Sequence, residues 1–94
     1  MYITYDPAKN AKNIAERNLS FEFVRDLEWD KAVNWLDNRK EYGEKRFSAL
    51  VPYEERLYAV AYTLRDSMRI ISFRKANKKE NDRYEKEKAR SLLN

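Results

Sequence analysis

The sequence predicts an α+β domain: a small antiparallel β-sheet meander with two N-terminal helices and one C-terminal helix, in the order β-α-α-β-β-β-β-α. Three observations point there. From Ala32 to Arg74 the chain falls into short β-branched, aromatic or alternating runs separated by turn residues. Both flanks carry helix-start signals, Asp6-Pro7 at one end and Asn77 with Glu80 at the other. Thirteen aromatic side chains against 1 Gly and 2 Pro in 94 residues supply a core despite a mean hydropathy of -0.97, and leave no material for a linker. Residues 1–94 therefore read as one domain, with helices packed on one face of the sheet.

The first strand, Tyr2–Tyr5, stops at Asp6, a good N-cap, and Pro7 fits the first helical position because it lacks the N–H that would be orphaned there. Ala8, Ala11, Ile14 and Ala15 form an apolar stripe at helical spacing, and Asn18 tolerates the left-handed conformation that ends a helix. The second helix follows at once. Ser20 is its N-cap, Leu19 can staple onto Val24, and Phe21, Val24 and Leu27 make its buried face.

Ala32–Leu36 is the second strand. Gly43 lies in the turn before Glu44–Val51, whose residues alternate, and Pro52 with Glu54-Glu55 marks a hairpin. Leu57–Leu64 is apolar on both faces and so central. Arg65-Asp66-Ser67 turns into the last strand, Arg69–Arg74. The final helix, from Lys78, is polar nearly all round, with only Tyr84, Ala89, Leu92 and Leu93 to bury. Residues 85–94 are expected to be a loosely attached basic tail.

Composition removes several chemistries. Zero Cys and zero His exclude disulfides, thiolate metal sites and histidine acid–base catalysis. There is no Gly-rich phosphate loop, nucleophile elbow, HExxH or EF-hand pattern, and no cofactor or metal is expected. No apolar stretch is long enough to span a bilayer, and the start has neither a basic nor an apolar leader region, so no membrane association and a cytoplasmic location are expected. The net charge of +4 is all in the last fifth: residues 1–73 hold 12 cations and 12 anions, residues 74–94 hold 8 and 4. That asymmetry fits an anionic partner, nucleic acid first; a solvated helix laced with pairs such as Asp82–Lys86 and Arg83–Glu87 fits it equally.

Arg46, Arg65, Arg69 and Arg74 fall within or at the end of successive hairpin strands, so three of the four could share one sheet face. Guanidinium forks suit phosphate oxygens and the charge of a phosphoryl transition state. Pairing with Glu28, Glu44 or Asp66 is the structural alternative. Tyr53, Tyr58, Tyr62, Trp29 and Trp35 could stack on bases, although strand aromatics are more often core.

The chain also resembles the BrnT family of bacterial type II toxins over about Ile3 to Tyr84. The resemblance is carried by Tyr5-Asp6-Pro7-Ala8-Lys9 with Asn13, by Leu19-Ser20-Phe21, and by the stretch Asp37 to Arg46 with its Gly43-Glu44-Lys45-Arg46. Tyr62-Thr63-Leu64-Arg65, Arg69 to Ala76, and Glu80 with Tyr84 complete it. It implies a RelE-like fold and a metal-independent endoribonuclease that cleaves RNA by attack of the ribose 2′-OH and blocks translation. Arg46, Arg65 and Arg74 would stabilise the phosphorane, with Glu44 a base and Tyr84 an acid or stacking group. Arg69, Lys75, Arg17 and Tyr62 would contact RNA. The partner implied is a DNA-binding antitoxin of the BrnA kind, in a 2:2 complex that reaches operator DNA only through the antitoxin. Many members carry His-Gly where this chain has Arg17-Asn18. Asn18 can still stop the helix, but Arg17 cannot shuttle a proton near neutral pH. The alternative is therefore a weakly catalytic or non-catalytic RNA- and antitoxin-binding protein acting as a co-repressor.

Overall fold

A computed structural model describes residues 1–92. Its elements are β1 (Ile3–Tyr5), α1 (Pro7–Arg17), two 3₁₀ helices (Phe21–Asp26 and Trp29–Lys31), β2 (Val33–Asp37), β3 (Arg46–Tyr53), β4 (Arg56–Leu64), β5 (Met68–Lys75) and α2 (Lys78–Leu92). The fold is α+β, as predicted. The sheet has five strands in the order β1-β5-β4-β3-β2. Strands β2 to β5 form the expected antiparallel meander, but β1 joins its far edge parallel to β5, with Ile3 opposite Met68 and Tyr5 opposite Ile70. The sheet is mixed because β1 reaches a strand more than sixty residues away, a pairing that no local turn specifies.

Helix α1 begins and ends as its sequence dictates. Asp6 accepts from the Ala8 N–H at 2.8 Å, and Asn18 adopts φ 57°, ψ 35° with its N–H on the Ile14 carbonyl. Its docking differs from the expectation. The stripe of Ala8, Ala11, Ile14 and Ala15 is exposed, and the helix is held by polar groups instead. Asn10 Oδ1 accepts from the Phe21 N–H at 2.8 Å. Buried Asn13 donates from Nδ2 to the carbonyls of Leu19 and Phe73, both at 3.0 Å. The Phe73 carbonyl belongs to the part of β5 beyond the reach of β1, so α1 covers a strand edge.

The predicted second helix is 3₁₀ rather than α. Phe21, Val24 and Leu27 recur every three residues, and a three-residue turn aligns them, so all three sink into the core beneath one sheet face. Strand β3 runs through Pro52 to Tyr53, and the reversal comes at Glu54 (φ 56°). The Pro52 carbonyl accepts from Glu28 N–H at 2.8 Å. It therefore points away from β4, as does the proline nitrogen, and no ladder bond is lost.

Two cores flank the sheet. The larger joins Ile3, Phe21, Val24, Val51, Val60, Ile70 and Phe73 under the first 3₁₀ helix. A β-bulge between the Ala61–Ser72 and Tyr62–Ile70 pairs lets Ile70 and Phe73, three apart, point into it together. The smaller core, Leu50, Leu57 and Ala59, lies on the opposite face, packed by Trp35, Ala76 and Tyr84 of α2. The helical segments are thus not gathered on one face. Strand β4 is apolar on both sides and needs a cover on each. Among the described residues no helix is long and apolar enough to cross a membrane.

Candidate functional site

Helix α2 covers only part of its face. Its start is fixed by a capping box in which Glu80 N–H donates to Asn77 Oδ1 (2.9 Å) and Asn77 N–H donates to Glu80 Oε1 (3.0 Å). Beyond the Leu50–Ala59 pair the register brings Trp35, Ser48, Ala61 and Ser72 side by side across four strands. Three of these four are small, so the sheet floor is low there. The result is a depression of about 260 Å³ rimmed by Trp35, Arg39, Arg74, Glu80 and Arg83. One row further along the same face stand Asp37, Arg46, Thr63 and Arg69.

Of the four strand arginines, Arg46, Arg69 and Arg74 share this face. Arg74 forks onto Glu80, Nη1 to Oε1 at 2.7 Å and Nη2 to Oε2 at 2.9 Å. Arg46 lies over the Tyr42 ring, 4.3 Å from its centroid, with Nε 3.7 Å from Glu44 Oε2. That Nε is buried and has no hydrogen-bond partner among the described residues. Arg65 sits in the β4–β5 turn and donates to Glu44 Oε1 at 2.9 Å, so Glu44 bridges Arg65 and Arg46.

The remaining expected site residues are elsewhere. Tyr62 is 7% exposed on the opposite face, its hydroxyl donating to Asn34 Oδ1 at 2.7 Å and its ring stacked on Phe47, so it is not brought to the arginines. Tyr84 lies under α2 and donates to the Lys31 carbonyl at 2.7 Å. Lys75 and Arg17 flank a second depression at the β5 edge that Arg74 also lines. Arg17 additionally donates to Asn13 Oδ1 at 3.1 Å. Of the five aromatics weighed for stacking, Trp35 alone is on the arginine face. Tyr53 and Tyr58 pack on Phe23, and Trp29 on Tyr62.

Arg39 and Arg83, neither among the expected site residues, both reach the rim, and Arg83 leaves the expected pair with Glu87, which bonds Arg90 instead. Arg39 forks onto Asp37 at 2.9 and 2.8 Å from a loop whose course no periodicity fixes. Arg83 stands three residues after Glu80, hence on the same side of α2, with its guanidinium 3.7 Å above the Trp35 ring centroid. That spacing was the available signal.

Five guanidinium groups thus share the face with three carboxylates. The hydrogen bonds from Arg65, Arg74 and Arg39 hold Glu44, Glu80 and Asp37 respectively below the ordinary carboxylate range. Burial pushes the Tyr84 hydroxyl up. Among the described residues no group of three or more Asp or Glu side chains is placed to hold a metal ion. The face carries more guanidinium than carboxylate groups, a charge balance that suits an anionic ligand.

Comparison with known proteins adds one match. The family model described as the ribonuclease toxin, BrnT, of type II toxin–antitoxin systems aligns with residues 5–80, from the end of β1 through the whole meander to Glu80. No curated protein sequence matches the chain.

Proposed function

The chain belongs to the BrnT family of ribonuclease toxins of type II toxin–antitoxin systems, and on that premise we propose that it is a metal-independent endoribonuclease whose active site is the arginine face of the sheet. Family membership implies an antitoxin partner. The observation that carries the reading is the convergence of Arg46, Arg69 and Arg74, with Arg39 and Arg83, around a floor of Ser48, Ala61 and Ser72. Small side chains let a sugar–phosphate backbone approach the sheet, and guanidinium groups wait where phosphate oxygens would lie.

In this reading the ribose 2′-oxygen attacks the adjacent phosphorus and gives its proton to water, and the bond to the 5′-oxygen breaks as that oxygen takes a proton from water. A 2′,3′-cyclic phosphate and a free 5′-hydroxyl result. Arg74 and Arg46 hold the phosphorane, where negative charge builds, and each donated hydrogen bond strengthens as it does. Arg69 grips a neighbouring phosphate, and Lys75 with Arg17 extends the track around the β5 edge. Glu44 serves chiefly to position Arg46 and Arg65, because a carboxylate held as an anion by two guanidiniums is a weak base. Tyr84 anchors α2 through its bond to Lys31. Cleavage of messenger RNA would block translation, and an antitoxin of the BrnA kind, in a 2:2 complex, would restrain it.

One observation favours the second reading, a binding protein acting as a co-repressor with its antitoxin. Every carboxylate on the face is shifted to lower pKa and Tyr84 to higher, so none of them moves toward neutrality. A fluorescent single-stranded RNA incubated with purified protein in EDTA separates the two. The enzyme reading expects cleavage, reduced about 10²- to 10³-fold by Arg74→Ala. RNA binding without cleavage would support the co-repressor, and cleavage indifferent to all the arginine variants would overturn the site.

A further inference from the structure

Arg83 makes its contact in the site with a ring, not a carboxylate. Its guanidinium carbon lies over the Trp35 ring, 3.7 Å from the centroid, and among the described residues no carboxylate is within ion-pair distance of it. The side chain is exposed, whereas Trp35 is half-buried and fixed by its place in β2 opposite Ser48. A planar cation held over an indole at the rim of the depression takes up space that a planar base could fill. Three residues earlier on the same side of α2, Glu80 lays a carboxylate on the Arg74 fork, in the place of a phosphate.

We propose that Trp35 is the base platform of this site, stacking a base of single-stranded RNA beside the phosphate held by Arg74, and that Arg83 occupies the platform until RNA displaces it. The proposal rests on the RNA-binding reading above and gives it a specificity element. One comparison supports it. Cation–π contact at an exposed position is weaker than base–aromatic stacking, so exchange favours the base. Stacking reads any base by its π-face, so the platform selects unpaired RNA over duplex rather than one sequence over another.

The test uses a fluorescein-labelled 2′-O-methyl RNA hexamer, which offers bases and phosphates but no 2′-hydroxyl to react, and an abasic oligomer of equal length. Trp35→Ala is expected to weaken hexamer binding about tenfold or more, Trp35→Phe to keep it within about threefold, and Arg83→Ala to strengthen it severalfold. The abasic oligomer should bind wild type and Trp35→Ala alike. Thermal midpoints of the variants establish that they fold, and quenching of tryptophan emission in the unaltered protein gives an independent reading, since Trp29 lies in the opposite core. Hexamer binding that depends on Arg74 but not on Trp35, with no quenching, overturns the platform and leaves the RNA site standing. Weaker binding by Arg83→Ala makes that residue a phosphate contact and overturns the exchange. If wild type binds neither oligomer, the RNA reading itself fails and the platform with it.

Discussion

Replacing Asn13 by Ala should be among the most damaging single changes to stability in α1, although Asn13 is a polar residue in a helix whose apolar stripe lies beside it. The side chain is 5% exposed and uses both ends of its amide: Nδ2 donates to the Leu19 and Phe73 carbonyls, and Oδ1 accepts from Arg17. Removing the donor leaves the Phe73 carbonyl in a buried position without a partner, which costs about 1–3 kcal/mol, and loses the bond to Leu19, worth about 0.5–1.5 kcal/mol. The sum, about 1.5–4.5 kcal/mol, corresponds in a domain of this size to a fall in thermal midpoint of roughly 6–36 °C. Asn13→Asp should be no better, because it sets an anion against two carbonyl oxygens. The neighbouring Ile14→Ala is the control: Ile14 is 44% exposed, so its truncation should cost less than about 1 kcal/mol. Circular-dichroism melts of the three variants decide the matter. If Ile14→Ala lowers the midpoint more than Asn13→Ala, then α1 docks through its apolar stripe and the account of the β5 edge is wrong. Because Phe73 precedes Arg74, the same substitution should also reduce RNA cleavage at temperatures where the variant remains folded.

Glu44→Gln should change the cleavage rate by less than about tenfold, since Gln can still accept from Arg65; a loss of two orders of magnitude would make Glu44 the base. The folded-state pKa of Glu80 lies below its unfolded value, so the stability it contributes is present above about pH 4.3 and is lost as pH falls through the lowered folded value. Midpoints measured downward from pH 5 should accordingly fall less steeply in Glu80→Gln than in wild type. Deleting residues 85–94 should leave the midpoint within a few degrees while weakening affinity for RNA or antitoxin. Tyr84 is retained, and Leu92 is 87% exposed; Leu93 lies outside the described residues. A truncated chain that fails to fold would show instead that the end of α2 packs.

What the sequence determined by itself was local. The cap at Asp6-Pro7, the left-handed stop at Asn18, the capping box of Asn77 and Glu80, and the run of hairpin strands are all present, because each depends on residues within a few positions of one another. Periodicity was legible but not its meaning. Phe21, Val24 and Leu27 were recognisable as a buried set, yet a three-residue spacing suits a 3₁₀ turn as well as an α-helix, and packing under the sheet selected the former. The amphipathic pattern of α1 even pointed to the wrong face, because two asparagine amides had a strand edge and a loop to satisfy that only the assembled fold supplies. For the site, the strand arginines signalled phosphate chemistry, and alternation sufficed to expect that some would converge. Which of them share a face depends on the register of four strands and on one bulge in β5, and a slip of one residue would have turned Arg46 into the core and Tyr62 out of it. Arg39, Arg83 and Trp35 met at the rim through tertiary packing alone, since a loop, a helix and an edge strand carry no common period.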